Sequence, residues 1–305
     1  MYRLLACLLL LGCSEAPSDQ EPSSVPSETL PPSSFDLSFG TDDHFDILTW
    51  NIETFPKHNR TVEYVVESLR ALKPDAVAIQ EVWDVEAIQA VEQGLPGYKL
   101  YLPPDIEDTG LAWLYNTNVV NLLLPGYQIF QEDDYDFSYR PPAVLEVTFQ
   151  AQELVLINLH LKCCGDGFIG DDYWDEERRR KNASIALAQY ISQRWDERPV
   201  IVLGDWNDAI EEPETRNVFW DLIQDSEHYR FADMSIAVGE SDNWSFPSYP
   251  SHLDHILITN ELFEAFEKPT TKVETILIEN ALPGAWNEYV HYLSDHRPVG
   301  LKLAF

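Results

Sequence analysis

Apolar runs that end in polar or acidic residues recur along this chain. Asp46 to Ile52 reads as a buried strand with Asn51 and Glu53 at its end. Arg60 to Leu72 sets Val62, Val65, Val66 and Leu69 at helical spacing, with Pro74 just beyond. Ala76 to Gln80 is a second strand, followed by Glu81, and Val85 to Val91 is a short helix. Leu111 to Tyr115 and Val119 to Leu124 are strands parted by a turn at Asn116-Thr117-Asn118. Val144 to Phe149 and Leu154 to His160 form a hairpin pair around Gln150-Ala151-Gln152. Asp175 to Trp195 is the longest predicted helix, and the strand Pro199 to Leu203 follows it, just ahead of Asp205. A helix over Glu214 to Ile223 and strands over Leu253 to Ile258, Lys272 to Ile278 and Val299 to Phe305 complete the pattern. Strands and helices mix without strict alternation, which disfavours a plain doubly wound sheet. The predicted fold is α+β, an α/β sandwich of two packed mixed β-sheets flanked by helices, in four layers.

The first 44 residues carry no such pattern. Arg3 precedes the apolar run Leu4 to Leu11, which is too short for a stable membrane span and has the shape of an export signal. Leu10-Leu11-Gly12-Cys13 resembles a bacterial lipobox, which makes residues 1–12 a signal peptide and Cys13 the lipidated first residue of the mature chain. Ser14, where Asp would signal inner-membrane retention, points to an outer-membrane or cell-surface lipoprotein, anchored to the membrane by its N-terminal lipid. Residues 13–44 are rich in Ser, Pro and acids and contain no Lys or Arg, so they read as a disordered tether. The folded domain is predicted over residues 45–305, as a monomer.

Charge narrows the partners. The formal net charge is −32, a field that repels polyanions and argues against tight non-specific duplex binding. A phosphodiester substrate stays compatible, because a divalent metal and local basic groups can reverse the field inside a cleft. Beyond Cys7 and Cys13, only the adjacent Cys163 and Cys164 remain, either as a vicinal disulfide or as two separate thiols.

Hydrolysis at phosphate needs hard oxygen ligands for a cation, donors to the phosphoryl oxygens and a group that activates water. Glu81, Asn51, Glu53 and Asp295 offer the oxygens, His160 and His296 can donate or move protons, and Asp205 with Asn207 can orient water. These residues lie in Trp50-Asn51, Gln80-Glu81, Asn158-Leu159-His160, Asp205-Trp206-Asn207, Leu253-Asp254-His255-Ile256-Leu257 and Ser294-Asp295-His296-Arg297-Pro298. In this order, across about Asp46 to Phe305, the set resembles the endonuclease/exonuclease/phosphatase superfamily, which includes pancreatic-type DNase, abasic-site exonucleases and neutral sphingomyelinases. The resemblance implies an Mg²⁺-dependent (or Mn²⁺-dependent) hydrolase of phosphate esters. It implies that Glu81 is the main metal ligand, with Asn51, Asp295 and Glu53 around it, and that His160 contacts the scissile phosphate. Asp205 and Asn207 place the attacking water, and His296 pairs with Asp254 rather than with its neighbour Asp295, because adjacent strand residues point to opposite faces.

Arg140, in Tyr139-Arg140-Pro141-Pro142, resembles a substrate-side arginine of pancreatic-type DNase and would contact phosphate. Arg178 to Lys181 sits downstream of Asp175, Glu176 and Glu177 on one helix, which reads as a solvated, charge-paired face. The Gly- and Asp-rich segment Cys163 to Trp174 reads as a rim loop with acidic oxygens for a structural Ca²⁺, although its spacing is not that of an EF-hand. Trp286, Tyr289 and Tyr292 offer an aromatic lip or, more simply, packing. The expected activity is phosphodiester hydrolysis. A DNase-like nuclease ranks ahead of a sphingomyelinase-like or other lipid or inositol phosphate hydrolase, so the substrate is nucleic acid or phospholipid. A non-catalytic surface binding protein that retains the fold is the alternative from another class.

Overall fold

The structure is a computed structural model and describes residues 33–305. The predicted signal peptide, Cys13 and the first part of the tether lie outside the described residues. The chain runs through β1 (His44–Phe55), α1 (Thr61–Leu72), β2 (Ala76–Val82), α2 (Val85–Gln93), β3 (Tyr98–Tyr101), α3 (Ile106–Thr109) and β4 (Ala112–Asn116). Then come β5 (Val120–Leu122), β6 (Tyr127–Gln128), β7 (Ala143–Phe149), β8 (Gln152–His160), α4 (Glu176–Arg194) and β9 (Val200–Asp205). The remainder is α5 (Trp220–Gln224), β10 (Tyr229–Phe231), α6 (Met234–Ala237), β11 (Asp254–Thr259), α7 (Phe263–Phe266), β12 (Lys272–Thr275), α8 (Ala285–Tyr292) and β13 (Val299–Ala304).

The strands form two mixed sheets, ordered β12-β13-β1-β2-β4-β3 and β10-β11-β9-β8-β7-β5, with β6 also pairing with β7. Each sheet contains a parallel pair, β1 with β2 and β8 with β9, and a helix crosses between the two strands of each. The period of two in a strand divides the apolar side chains between two faces. Ile47, Ala78, Leu156, Leu203 and Ile256 fill the core between the sheets. Leu48 and Val77 pack under α1 and α2, while Val155, Val202 and Leu257 pack under α4 and α5. The result is the four-layer sandwich the pattern predicted. No helix among the described residues is long and apolar enough to cross a membrane.

The domain begins earlier than residue 45, which corrects the tether boundary. Ser33 and Ser34 hydrogen-bond the Glu67 carboxylate, Gly40 N donates to Leu72 O at 2.6 Å, and Phe39 is buried. Polar composition concealed one well-placed aromatic anchor. The helix predicted from Glu214 starts only at Trp220, because Asn217 is buried and its side chain bridges Ile210 O, Glu212 O and Phe219 N in a non-helical turn.

Candidate active site

The same alternation that builds the inter-sheet core carries polar groups to its open end. Along β1 the inward face reads Ile47, Thr49, Asn51; along β9 it reads Ile201, Leu203, Asp205; along β11 it reads Ile258, Ile256, Asp254. Register then lines the groups up across the second sheet: His160 pairs with Asp205, and Asp205 pairs with Asp254. In the first sheet Asn51 pairs with Gln80. Gln80 and Asn158 bridge the sheets at 2.7 Å, and the Asn158 amide donates to Ile79 O and Ala112 O. These buried amides fix the spacing of the two strand layers beneath the site.

A cleft of about 690 Å³ opens over this end. Glu53, Glu81, Arg140, His160, Asp205, Asn207, Asp295 and His296 all line it, so the structure gathers nearly all the residues singled out from sequence. Glu81 and Asn207 sit at φ +64° and +57°, in the left-handed region. The twist at Glu81 breaks the strand alternation, and its carboxylate meets the side chain of Asn51. Gly204 provides the close approach of β9 to β8: a Cβ there would lie 1.9 Å from Leu159 O.

Hydrogen bonds assign the roles of the individual atoms. His296 Nδ1 lies 2.7 Å from Asp254 Oδ2, and its Nε2 faces Asp205 at 3.9 Å. Burial depresses the imidazolium, yet Asp254 and then Asp205 more than offset that, and the ring is pushed up to about 10. His296 is therefore a cation at neutral pH, with Phe246 tilted against its ring at 4.6 Å. Arg297 holds that wall in place by bonding Asp242 O, Trp244 O and Glu279. Tyr289, buried in α8, bonds His296 O; together with Trp286 it serves packing rather than a lip.

His160 is the opposite case. Burial, and then the nearby Arg140 and His296 cations, hold its ring well below the ordinary value. It is neutral and accepts from Arg140 at 2.9 Å on Nδ1, while Arg140 also donates to Leu161 O. Arg140 thus reaches the site through His160, and its Nε has no partner within the protein. Asp205 is raised to about 7, first by burial, then by Asp254 and Glu81, against the lowering pull of His296 and Asn51. A carboxylate poised near neutrality, with Asn207 N on its Oδ1 at 3.0 Å, suits proton transfer from water.

Asn51 links the two carboxylates nearest to it. Its amide nitrogen donates to Glu81 and Asp205, each at 3.0 Å, while its oxygen accepts from Glu53 N. In this arrangement Asn51 orients the Glu81 and Asp205 carboxylates. Glu53 is paired with Lys57 and accepts from Asp295 N at 2.8 Å. Asp295 is raised to about 6 by burial and, among charges, by Glu53. The surplus of negative charge among Glu53, Glu81 and Asp295, together with an all-oxygen donor set, fits a hard divalent cation.

Sequence reasoning missed two features. The basic run at Arg178 to Lys181 is not a solvated face: Arg179 and Arg180 are buried. Arg180 bonds Lys162 O, Cys164 O and Asp208 on the cleft wall, and Arg179 bonds Tyr135 O. The second is a buried network at Asp233, which takes His252 Nε2 at 3.0 Å and His255 Nδ1 at 2.6 Å, while His255 Nε2 donates to Asp208 O. Since Ser245 N donates to His252 Nδ1, the proton of that ring is on Nε2, and the cluster is a hydrogen-bond network and not a metal centre. Only the adjacency of His252 and His255 to Asp254 could have signalled it.

Cys163 and Cys164 are free thiols on the cleft rim, with sulfurs 2.9 Å apart and no bridge between them. In the loop beyond, Asp166 and Asp172 accept from Phe168 N and Trp174 N, and Glu177 accepts from Gly167 N. The first two are local turns, and the third ties the loop to the first turn of α4. Among the described residues, no acidic group of this loop joins a three-ligand cluster of the kind a structural Ca²⁺ would need.

Comparison with known proteins agrees with this fold. D. rerio TDP2 complexed with a single-strand DNA product superposes with a TM-score of 0.63 at 17% identity, over 87% of this chain and 100% of that one. The human nocturnin catalytic domain with bound sulfate gives 0.56 at 17%, over 86% and 94%. A mannosyl-6-phosphatase from Bacteroides thetaiotaomicron gives 0.55 at 16%, over 86% and 100%. No curated protein matches the chain in sequence. The family model of the endonuclease/exonuclease/phosphatase family matches residues 48–296, from the first strand to His296 of the closing motif. The chain belongs to the endonuclease/exonuclease/phosphatase family.

Proposed function

We propose that this phosphoesterase is a divalent-metal-dependent phosphodiesterase, with Mg²⁺ as the working cation, exported and held at the cell surface by a lipid on Cys13. The observation that carries the catalytic reading is the convergence, in one cleft, of a cationic His296 paired with Asp254, a near-neutral Asp205 and the carboxylates Glu81 and Asp295. When bound, the cation supplies Lewis-acid stabilisation of the charge on the phosphoryl oxygens. Glu81 and Asp295 would hold it, and Asn51 keeps the Glu81 carboxylate turned to the cleft. Asp205 takes a proton from water, and Asn207 N fixes its orientation. The imidazolium of His296 donates from Nε2 to the developing negative charge, and Asp254 keeps the proton on Nδ1. His160 presents a neutral ring beside them, oriented by Arg140.

The cations around the cleft are engaged with the protein: Lys57 with Glu53, Arg140 with His160 and Leu161 O, Arg180 with Asp208, and Lys162 with Cys163 O. With a net charge of −32, this favours a short or singly charged phosphodiester over a long polyanion. A DNase-like nuclease is the second reading, supported by the placement of Arg140 beside the site and by the single-strand DNA in the TDP2 neighbour. The test is hydrolysis of bis(p-nitrophenyl) phosphate, plasmid DNA, RNA, sphingomyelin and inositol phosphates by the full chain, with Mg²⁺ and with chelator, beside His296→Ala. Cleavage of the small diester that needs both Mg²⁺ and His296 is the expected outcome. Absence of such cleavage on every substrate would make the chain a binding protein, and rapid cutting of plasmid DNA would select the nuclease.

A further inference from the structure

Next to Arg140 of the cleft, and outside its lining, lies a group of exposed aromatic rings that catalysis does not use. Tyr139 directly precedes Arg140 and is 58% exposed, and Tyr173 and Trp174 are 61% and 67% exposed. Tyr135 stacks on Tyr173 with centroids 4.3 Å apart and planes 8° from parallel, and donates its hydroxyl to Tyr173 O at 2.8 Å. Trp174 stands edge-on to both, and Tyr139 edge-on to Tyr135. Beneath them the guanidinium of Arg179 lies 4.1 Å from the Tyr135 ring. Arg179 and its neighbour Arg180 therefore fasten this aromatic group and the cleft wall to one turn of α4. A contiguous exposed aromatic surface marks a binding site.

We propose that Tyr139, Tyr173 and Trp174, braced by Tyr135 whose ring is held between Tyr173 and Arg179, form a platform that takes a neutral sugar ring of the substrate, beside the phosphate cleft. The proposal rests on the phosphoesterase reading for the identity of the bond that is cut. Flat aromatic faces stack on the apolar face of a hexose as they do on a base, and the surrounding charge decides between the two. Asp133, Asp134 and Asp136 flank Tyr135 in the chain, and Asp171 and Asp172 precede Tyr173. Of the cations beside them, Arg179 is buried and spent on Tyr135 O and its ring, and Arg178 is paired with Asp171 and donates to Gly170 O. Every nucleotide of a strand brings a phosphate into this acidic surround, whereas sugar hydroxyls donate to carboxylates and carry no charge. The same argument disfavours an anionic lipid surface.

The test is a titration of Trp174 fluorescence in the full chain, with Trp174→Phe giving the background of the other tryptophans. The probes are the neutral saccharides mannotetraose and maltotetraose, against oligothymidylate. A saturable change with a neutral saccharide and none with oligothymidylate is expected. Tyr173→Ala and Tyr139→Ala should each weaken the saccharide by about tenfold and leave bis(p-nitrophenyl) phosphate hydrolysis unchanged. No saturable change with either saccharide, or saturation by oligothymidylate, overturns the platform. The titration reads binding without turnover. A chain that binds saccharide but hydrolyses no diester would refute the catalytic reading alone, and a chain that hydrolyses the diester but binds no saccharide would refute the platform alone.

Discussion

Replacing Asp254 with Asn removes a charge and leaves a group able to accept from His296 Nδ1, so it isolates the electrostatic role of the pair. The folded protein raises His296 from its ordinary 6.5 to about 10, with Asp254 the foremost and Asp205 the second of the raising charges. That gap corresponds to at most about 5 kcal/mol of differential stabilisation at about 1.4 kcal/mol per unit. Coulomb energy falls with distance, and Asp254 lies at 2.7 Å against 3.9 Å for Asp205, so the larger share belongs to Asp254. Asp254→Asn should bring the His296 titration down by about two units or more. Above that lowered titration His296 no longer donates in the transition state, and activity there should fall about 10²-fold or more, mostly in kcat. The sign for stability follows from a raised imidazole. The contribution of the pair is complete below about 6.5 and is lost as pH rises through about 10, so the variant loses stability chiefly at neutral and lower pH. The assay is kcat/KM for bis(p-nitrophenyl) phosphate with Mg²⁺ across pH, together with the melting temperature. The alkaline limb of the wild-type profile should move down in the variant. An unchanged limb, with activity within about a factor of two of wild type, would show that the His296 cation does no catalytic work.

Two further outcomes test the fold beneath the site. Asp75 is raised to about 7, first by burial and then by Asp46, while its carboxylate accepts from Asp46 N. An acid raised on folding costs stability as pH climbs from its unfolded value through about 7, so Asp75→Asn should stabilise the chain above neutrality by about 1–2 kcal/mol and leave acid stability nearly unchanged. Equal melting curves for the two proteins at alkaline pH would contradict this. Gly204→Ala would drive a Cβ against Leu159 O at a backbone φ of +154°. Urea denaturation should show a loss of at least about 2 kcal/mol together with lost activity, and a neutral result would mean that β9 can withdraw from β8 without disturbing Asp205.

What the sequence made legible depends on the scale of the cause. The strands β1, β2, β8 and β9 were visible because each is buried on both faces and reads as an apolar run, and the candidate catalytic groups were visible because they end those runs. The pairing of His296 with Asp254 was implied by the family resemblance; it forms at 2.7 Å although Asp295 and His296 lie in a bend ahead of β13 and not in a strand. Short edge strands such as β3 (four residues) and β10 (three residues) carry too little periodicity to read. The role of the Arg179 and Arg180 side chains was hidden as well. Of the three acids upstream, Glu177 does pair with Arg180 at 3.5 Å, but the hydrogen bonds of the two buried guanidiniums go to Tyr135 O, Lys162 O, Cys164 O and Asp208, supplied by loops distant in the chain. The orientation of the Asn51 amide was likewise beyond sequence, since it is set by the competition of Glu81, Asp205 and Glu53 N for one side chain.

The central claim is metal-dependent phosphodiester hydrolysis in the cleft that Glu81, Asp205 and His296 share. Its most direct test is the hydrolysis of bis(p-nitrophenyl) phosphate by the full chain with Mg²⁺ and with chelator, beside Glu81→Gln, whose amide retains the shape of the carboxylate and loses its charge. The account predicts turnover that chelator abolishes, that restored Mg²⁺ recovers, and that Glu81→Gln lowers by about 10²-fold or more. Turnover that persists in chelator, or that Glu81→Gln leaves intact, would contradict it.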